Sequence, residues 1–120
     1  MTDLIEVQTS ALDGAALDWA VAQVEGIKVA IAEPHYGADW RVYRPESGGK
    51  YSPSTEWAVG GPLIERETLH LFSKTSSQPW AATNAGGFVG FGSTPLVAAC
   101  RAIVAAKLGY TVQVPRELIQ

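Results

Sequence analysis

The chain contains few of the residues that build disulfides, metal sites or nucleic-acid surfaces. It has 120 residues with one cysteine and two histidines, which excludes an intramolecular disulfide and disfavours a Cys- or His-cluster metal site. Only 18% of the residues are charged and the net charge is −3, which disfavours binding to duplex nucleic acid because such binding requires clustered Lys and Arg. No segment approaches the ~20 apolar residues of a membrane span, so a membrane partner is not expected.

What is present is the composition of one globular domain. The 47% of hydrophobic residues is enough for a core, and the length predicts a single domain over residues 1–120. The first ten residues have neither the basic nor the apolar region of a signal peptide, and a single cysteine suits a reducing compartment. We therefore expect a cytoplasmic protein.

Residues 10–26 have the apolar periodicity of a helix. Ser10 is predicted to be the N-cap and Gly26 the residue that ends the helix. Asp18 and Glu25 fall opposite the apolar stripe and are predicted to face solvent, whereas Trp19 lies on the stripe and is predicted to be structural.

A second helix is predicted to begin after Ser93 or Thr94 as N-cap, with Pro95 at its first position, where the missing N–H costs nothing. Gly109 is predicted to end it. Cys100 lies within its apolar stripe and is predicted to be a buried, inert thiol.

The remaining pattern predicts short strands separated by irregular segments. The predicted strands cover residues 3–8, 27–32, 63–74, 80–83 and 111–114. Residues 33–62 are rich in proline and glycine and predict a long irregular insert, with a short strand at 40–43. This order predicts an α+β fold: a small, mostly antiparallel sheet with two main helices packed on one face.

The glycine-rich residues 86–94 lead directly into the second predicted helix. Free N–H groups and the helix dipole could bind a phosphate there, with help from the Ser93 and Thr94 hydroxyls. The alternative is a glycine-bearing strand that ends in an ordinary cap. Arg101 stands nearly alone in the Ala-rich helix and could hold a phosphate or pair with Glu65 or Glu67; a solvated arginine is the alternative.

Trp57 lies between a hydroxyl-rich turn that contains Ser54 and Thr55 and a Gly-Gly-Pro sequence. Such a segment either braces the core with one large ring or presents the ring to a ligand, and the first interpretation is favoured for Trp57. Trp40 and Trp80 lie in or beside irregular segments, where exposed rings could stack on a nucleobase.

No arrangement typical of an enzyme is evident. His35 and Asp39 could form a pair, but no serine or cysteine nucleophile accompanies them. We therefore expect neither an enzymatic activity nor a cofactor.

Three segments, 16–26, 51–67 and 94–118, contain distinctive motifs: ALDWAVA followed by Glu25 and Gly26, YSPSTEW followed by GGP and Glu65 to Glu67, and TPLVAA followed by Arg101 and AKLG. Together these segments resemble the phage NinX-like family of small accessory proteins. The resemblance implies a phage protein that works in the host bacterial cytoplasm. It implies no established activity and supplies no catalytic residues.

These observations leave three functional hypotheses. The first is a non-catalytic sponge that sequesters a host nucleotide-derived immune signal, of cyclic nucleotide or ADP-ribose type, as an anti-defence protein. The predicted ligand-binding residues are Trp57, Ser54, Thr55, Trp40, Trp80, Ser93, Thr94, Arg101 and Arg66. The Ala-rich second helix would permit a homo-oligomer. The alternative is a module that binds or inhibits a host or phage protein, and the acidic balance makes a single-strand nucleic-acid accessory factor the least favoured.

Overall fold

The computed structural model describes residues 3–34, 40–73 and 79–119, in which three α-helices and seven short β-strands are present. In chain order these are β1 (Leu4–Gln8), α1 (Gly14–Glu25), β2 (Ala30–Ala32), β3 (Arg41–Tyr43), α2 (Trp57–Arg66), β4 (His70–Ser73), β5 (Trp80–Thr83), β6 (Val89–Gly92), α3 (Pro95–Leu108) and β7 (Thr111–Pro115). The predicted α+β class is confirmed. No helix in these ranges is long and apolar enough to cross a bilayer.

The strands of the described ranges form three small antiparallel sheets. The strand β1 pairs with β7, from Leu4 opposite Pro115 to Gln8 opposite Thr111, and β2 pairs with β3. The third sheet has the order β4-β5-β6. The sequence predicts antiparallel pairing, but not this division into three sheets.

The helix α1 begins three residues later than predicted, so the assignment of Ser10 as its N-cap is wrong. Residues Thr9–Ala11 form a 3₁₀ turn, in which the Leu12 N–H donates to the Thr9 carbonyl at 3.1 Å. The side chain of Asp13 then caps α1 by accepting a 2.9 Å hydrogen bond from the Gly14 N–H. The predicted end at Gly26 is confirmed, with this glycine in the left-handed conformation at φ 69°.

The helix α2 replaces the end of the predicted irregular insert and the start of the predicted 63–74 strand, so both predictions are wrong there. The Ser52 carbonyl accepts from the Glu56 N–H at 2.9 Å, and the Glu56 carbonyl accepts from the Gly60 N–H at 2.9 Å, so a turn runs directly into the helix. Pro62 inside the helix removes one intrahelical donor. Only His70–Ser73 remains as a strand, and Lys74 lies outside the described residues.

The helix α3 is central and begins as predicted. The Thr94 hydroxyl accepts from the Val97 N–H at 3.1 Å, Pro95 is the first helical residue and Gly109 follows the last. The glycines of β6 allow this strand to lie directly on α3: a Cβ at Gly90 would be 2.2 Å from the Ala98 carbonyl oxygen. Ala98, Ala99 and Ala102 of α3 are therefore used for packing within the chain.

The main core lies where α1, α3 and β7 meet, with Leu17, Val21, Ile103 and Val114 buried completely or almost so. Trp19 packs partly buried against it, as predicted. The buried position of Cys100 is also confirmed. A smaller cluster of alanines joins α3 to the three-stranded sheet.

Candidate functional site

Asp18 is a buried carboxyl in the middle of α1, so the prediction that it faces solvent is wrong. The residue is 4% exposed, and its carboxylate accepts a 2.9 Å hydrogen bond from the backbone N–H of Ser54. Burial raises the pKa of Asp18 to about 6, and the neighbouring Ser54 and Lys50 offset this only in part. A sequence signal exists, because Asp18 is followed one turn later by the apolar Val21 and Ala22.

The segment that precedes α2 is anchored by this carboxyl. Residues 51–54 are all buried, and the Ser52 hydroxyl donates to the carboxylate of Glu56. Ser54, one of the predicted ligand-binding residues, is 2% exposed and contributes its N–H to Asp18. Thr55, the next predicted residue, is exposed. Residues 51–54 therefore stabilise the fold, and the exposed part of this segment begins at Thr55.

Trp57 is presented to solvent at the first residue of α2. It is 55% exposed, so the favoured interpretation, in which its ring fills the core, is wrong. The absence of a side chain at Gly61, one turn later, leaves room beside the indole: a Cβ there would be 3.8 Å from a ring carbon of Trp57. An exposed indole on a rigid helix is available for stacking.

A cleft of about 380 Å³ lies between the end of α1 and the face of α2, and we call it the α2 cleft. Its main lining residues are Glu25, Arg44, Tyr51, Val59, Leu63 and Arg66. Its volume is near the lower end of the roughly 300–1,000 Å³ typical of small-molecule sites. Arg66 is the predicted ligand-binding residue that lines it.

The α2 cleft contains two guanidinium groups, those of Arg44 and Arg66. The Arg44 guanidinium lies over the Tyr51 ring, with its Cζ atom 5.1 Å from the ring centroid. Arg66 forms an ion pair with Glu25, and its Nε atom is 3.6 Å from the carboxylate of Glu67. Planar guanidinium groups bind phosphate oxygens in a two-pronged geometry and stack on rings. The cleft thus combines anion-binding groups with an apolar wall.

Tyr51 forms the floor between this cleft and the buried Asp18. The side chain is 1% exposed, and its hydroxyl has no hydrogen-bond partner among the described residues. Burial raises the pKa of Tyr51 to about 12. No sequence signal identifies Arg44 as the partner of Tyr51, because Arg44 lies in the predicted irregular insert.

Arg101 has a structural role in the fold. Its Nε atom donates to the Leu12 carbonyl at 2.9 Å, and its Nη1 atom donates to the Phe91 carbonyl at 2.7 Å. The predicted pairing with Glu65 or Glu67 is wrong. The guanidinium instead joins β6 to the turn before α1.

Trp80, Ser93 and Thr94 come together at one end of the three-stranded sheet. Trp80 lies opposite Gly92 in the pairing of β5 with β6, immediately before Ser93. The ring of Trp80 packs partly buried on the alanine cluster, and the Thr94 hydroxyl caps α3. None of the three lines the α2 cleft. The glycine-rich segment therefore has the features of the ordinary cap.

Trp40 lines a different cleft, of about 480 Å³, at the start of α1. The charged residues in its lining are Asp13 and Glu117, and the described lining includes no Lys or Arg. Although this cleft is larger, its acidic groups disfavour an anionic ligand. A third cleft, of about 290 Å³ beside β3, contains Arg41 and Lys50.

The described ranges contain no group of three or more His, Cys, Asp or Glu side chains that could hold a metal ion. The predicted His35–Asp39 pair lies outside these ranges.

Comparison with known proteins assigns this chain to a family. No curated protein matches the chain. The family model described as bacteriophage P22, NinX matches residues 8–107, a range that includes α1, the α2 cleft and nearly all of α3. Since the match covers most of the chain, this protein belongs to the bacteriophage P22 NinX family.

Proposed function

We propose that this phage protein is a non-catalytic sponge that binds a nucleotide-derived signal of the host, of cyclic nucleotide or ADP-ribose type, and withholds it from a defence system in the host cytoplasm. The observation that carries the proposal is the arrangement of Arg44, Tyr51 and Arg66 in the α2 cleft. Such a ligand joins phosphates to planar rings, and this cleft offers two guanidinium groups, one of them held over the buried Tyr51 ring, beside an apolar wall.

The exposed Trp57 supports the same ligand class. It begins the helix that forms one wall of the cleft, and stacking on a nucleobase contributes ~1–3 kcal/mol per base. The described lining of the cleft includes no His, Ser or Cys that could serve as a nucleophile, and sequestration requires tight binding without turnover.

A homo-oligomer remains part of the proposal, but its interface would not use four alanines of α3 that are buried within the chain, namely Ala98, Ala99, Ala102 and Ala105. Exposed apolar side chains on other surfaces are available for it, namely Phe72, Leu108 and Tyr110. The same exposed residues favour the second candidate function, a module that binds a host or phage protein.

The test is a thermal-shift and calorimetry screen of the purified protein against cyclic di- and trinucleotides, ADP-ribose derivatives and mononucleotides. A ligand present at 100 times its Kd should add about 2.7 kcal/mol to the free energy of unfolding. Recovery of the ligand intact would establish sequestration rather than hydrolysis.

A matched pair of variants connects any binding to the α2 cleft. Arg44→Gln removes a charge from the cleft, whereas Arg41→Gln removes the same charge from the neighbouring cleft beside β3. We expect the first variant to lose binding and the second to retain it. The absence of a shift with every nucleotide would refute the sponge, and pull-down of a host protein would then support the interaction module.

A further inference from the structure

We propose that Glu25 competes with the ligand for Arg66, and that it thereby restricts the α2 cleft to ligands with at least two negative charges close together. This inference rests on the proposed function only for the location of the ligand. Its basis is the ion pair between Glu25 and Arg66, in which the side chains are 7% and 57% exposed. The carboxylate is therefore enclosed, while the guanidinium it binds faces the cleft and solvent.

The position of Glu25 is electrostatically unfavourable apart from this pair. It is the last residue of α1, and α1 has no basic residue in its last turn. The carbonyl end of a helix carries partial negative charge, which disfavours a carboxylate there. Glu25 therefore depends on Arg66, and an incoming anion that takes Arg66 also leaves Glu25 beside the negative end of α1.

The charges around Arg66 set the requirement for the ligand. Glu67 is also close, with 3.6 Å between its carboxylate and the Arg66 Nε atom, so one guanidinium is shared by two carboxylates. A singly charged ligand gains little by replacing Glu25. Because Arg44 lines the same cleft, a second phosphate charge has a cationic partner there, and a pyrophosphate group therefore replaces the carboxylate more readily.

Calorimetric titration with inorganic pyrophosphate and with the singly charged dimethyl phosphate tests this role, and the unaltered protein should bind the first and not the second. Glu25→Gln should tighten pyrophosphate binding about tenfold or more. The matched control is Glu67→Gln, which removes the other carboxylate that contacts Arg66. Because Glu67 does not line the cleft, this variant should change the Kd for pyrophosphate less than about threefold. The double variant Glu25→Gln/Arg66→Gln should bind pyrophosphate no more tightly than the unaltered protein.

The inference is overturned if Glu25→Gln binds pyrophosphate no more tightly than the unaltered protein, or if the gain persists without Arg66. Melting temperatures establish that the variants fold. If Glu25→Gln does not fold, Glu25→Asp supplies the test, because it retains the charge but withdraws the carboxylate by one methylene, and it should tighten binding by a smaller factor. If Glu25→Gln binds pyrophosphate no more tightly while the unaltered protein binds a nucleotide, the inference about Glu25 is refuted and the proposed function is not. Tight pyrophosphate binding by Glu25→Gln, without any nucleotide binding by the unaltered protein, would refute the sponge alone.

Discussion

The carboxylate of Asp18 accepts a 2.9 Å hydrogen bond from the backbone N–H of Ser54, 36 residues further along the chain, and the two residues are 4% and 2% exposed. This bond joins the middle of α1 to the turn that leads into α2. Because Tyr51 and the first residues of α2 lie on either side of that turn, the buried carboxyl positions the floor and one wall of the α2 cleft.

The raised pKa of Asp18 predicts how stability depends on pH. The folded protein binds this proton more tightly than the unfolded chain, because burial raises the pKa from 3.8 to about 6. Asp18 therefore lowers the free energy of unfolding as pH rises through this window, by roughly 2–3 kcal/mol in full above it. Asp18→Asn removes the charge and retains an oxygen acceptor, so it should be ~1–3 kcal/mol more stable at pH 8.

Urea unfolding between pH 4 and pH 8 measures this difference. The control is Asp18→Ala, which leaves the buried Ser54 N–H without its acceptor and should be ~1–3 kcal/mol less stable than Asp18→Asn. An unchanged pH profile in Asp18→Asn would show that another group is responsible for the pH dependence.

The start of α3 was predictable from the sequence because its signals are local. Thr94 caps the helix through its own hydroxyl, and Pro95 suits the first helical position whatever packs nearby. The helix α2 was not predictable in this way, because Gly60 and Pro62 indicate a break. The structure shows why Gly60 is present: a Cβ there would be 2.3 Å from the Pro53 carbonyl oxygen. That reason is a tertiary contact, which local periodicity does not contain.

The candidate site was predictable only in part. Trp57 and Arg66 were identified by residue type, and Arg66 lines the cleft. Arg44 and Glu25 were missed because their significance comes from contacts made across the fold, with Tyr51 and with Arg66. Polarity alone placed Asp18 on the surface, whereas packing on nearly every side of α1 buries it.

The close contact between β6 and α3 predicts that Gly90→Ala is strongly destabilising. The added Cβ would be 2.2 Å from the Ala98 carbonyl oxygen and 2.4 Å from the Ala102 nitrogen, both of which belong to a helix backbone that cannot rotate away. Overpacking of this kind typically costs ~1–3 kcal/mol, and rigid backbone on both sides should place this variant at or above that range. Thermal unfolding measures the loss.

Gly61→Ala is the matched control for this substitution. Gly61 lies inside α2, and the nearest atom to its added Cβ is a Trp57 ring carbon at 3.8 Å, an ordinary contact. Alanine in a helix interior is favoured over glycine by roughly 0.5–1 kcal/mol, but Pro62 crowds a Cβ on the residue before it and offsets this gain, so this variant should change stability little. Equal effects of the two substitutions would contradict the packing described for β6.

Arg101→Met tests whether Arg101 serves the fold or the ligand. The substitution removes both donors to the Leu12 and Phe91 carbonyls and should lower the free energy of unfolding by ~1–3 kcal/mol. Affinity for the ligand should not change, since Arg101 does not line the α2 cleft. A variant with normal urea stability but lost nucleotide binding would instead restore the phosphate role considered from the sequence.

Trp57→Ala should weaken ligand binding and leave stability unchanged, the opposite of the result expected for Arg101→Met. Since the ring is 55% exposed, the free energy of unfolding should change by no more than ~0.5 kcal/mol, while binding of a nucleotide ligand weakens. Trp19→Ala is the contrasting variant, because Trp19 packs against the core and its loss should be clearly destabilising. Unchanged nucleotide affinity in Trp57→Ala would remove this ring from the binding site.

The pairing of β1 with β7 places the two ends of the described chain in one ladder, with Leu4 opposite Pro115. During synthesis, β1 leaves the ribosome before β7 and has no partner until β7 follows it, at about 5–20 residues per second. The exposed edge of β1 must therefore stay unpaired for several seconds or longer, so a chaperone that holds nascent strands would protect it. Any message truncated before β7 would yield a protein whose first strand never finds its partner.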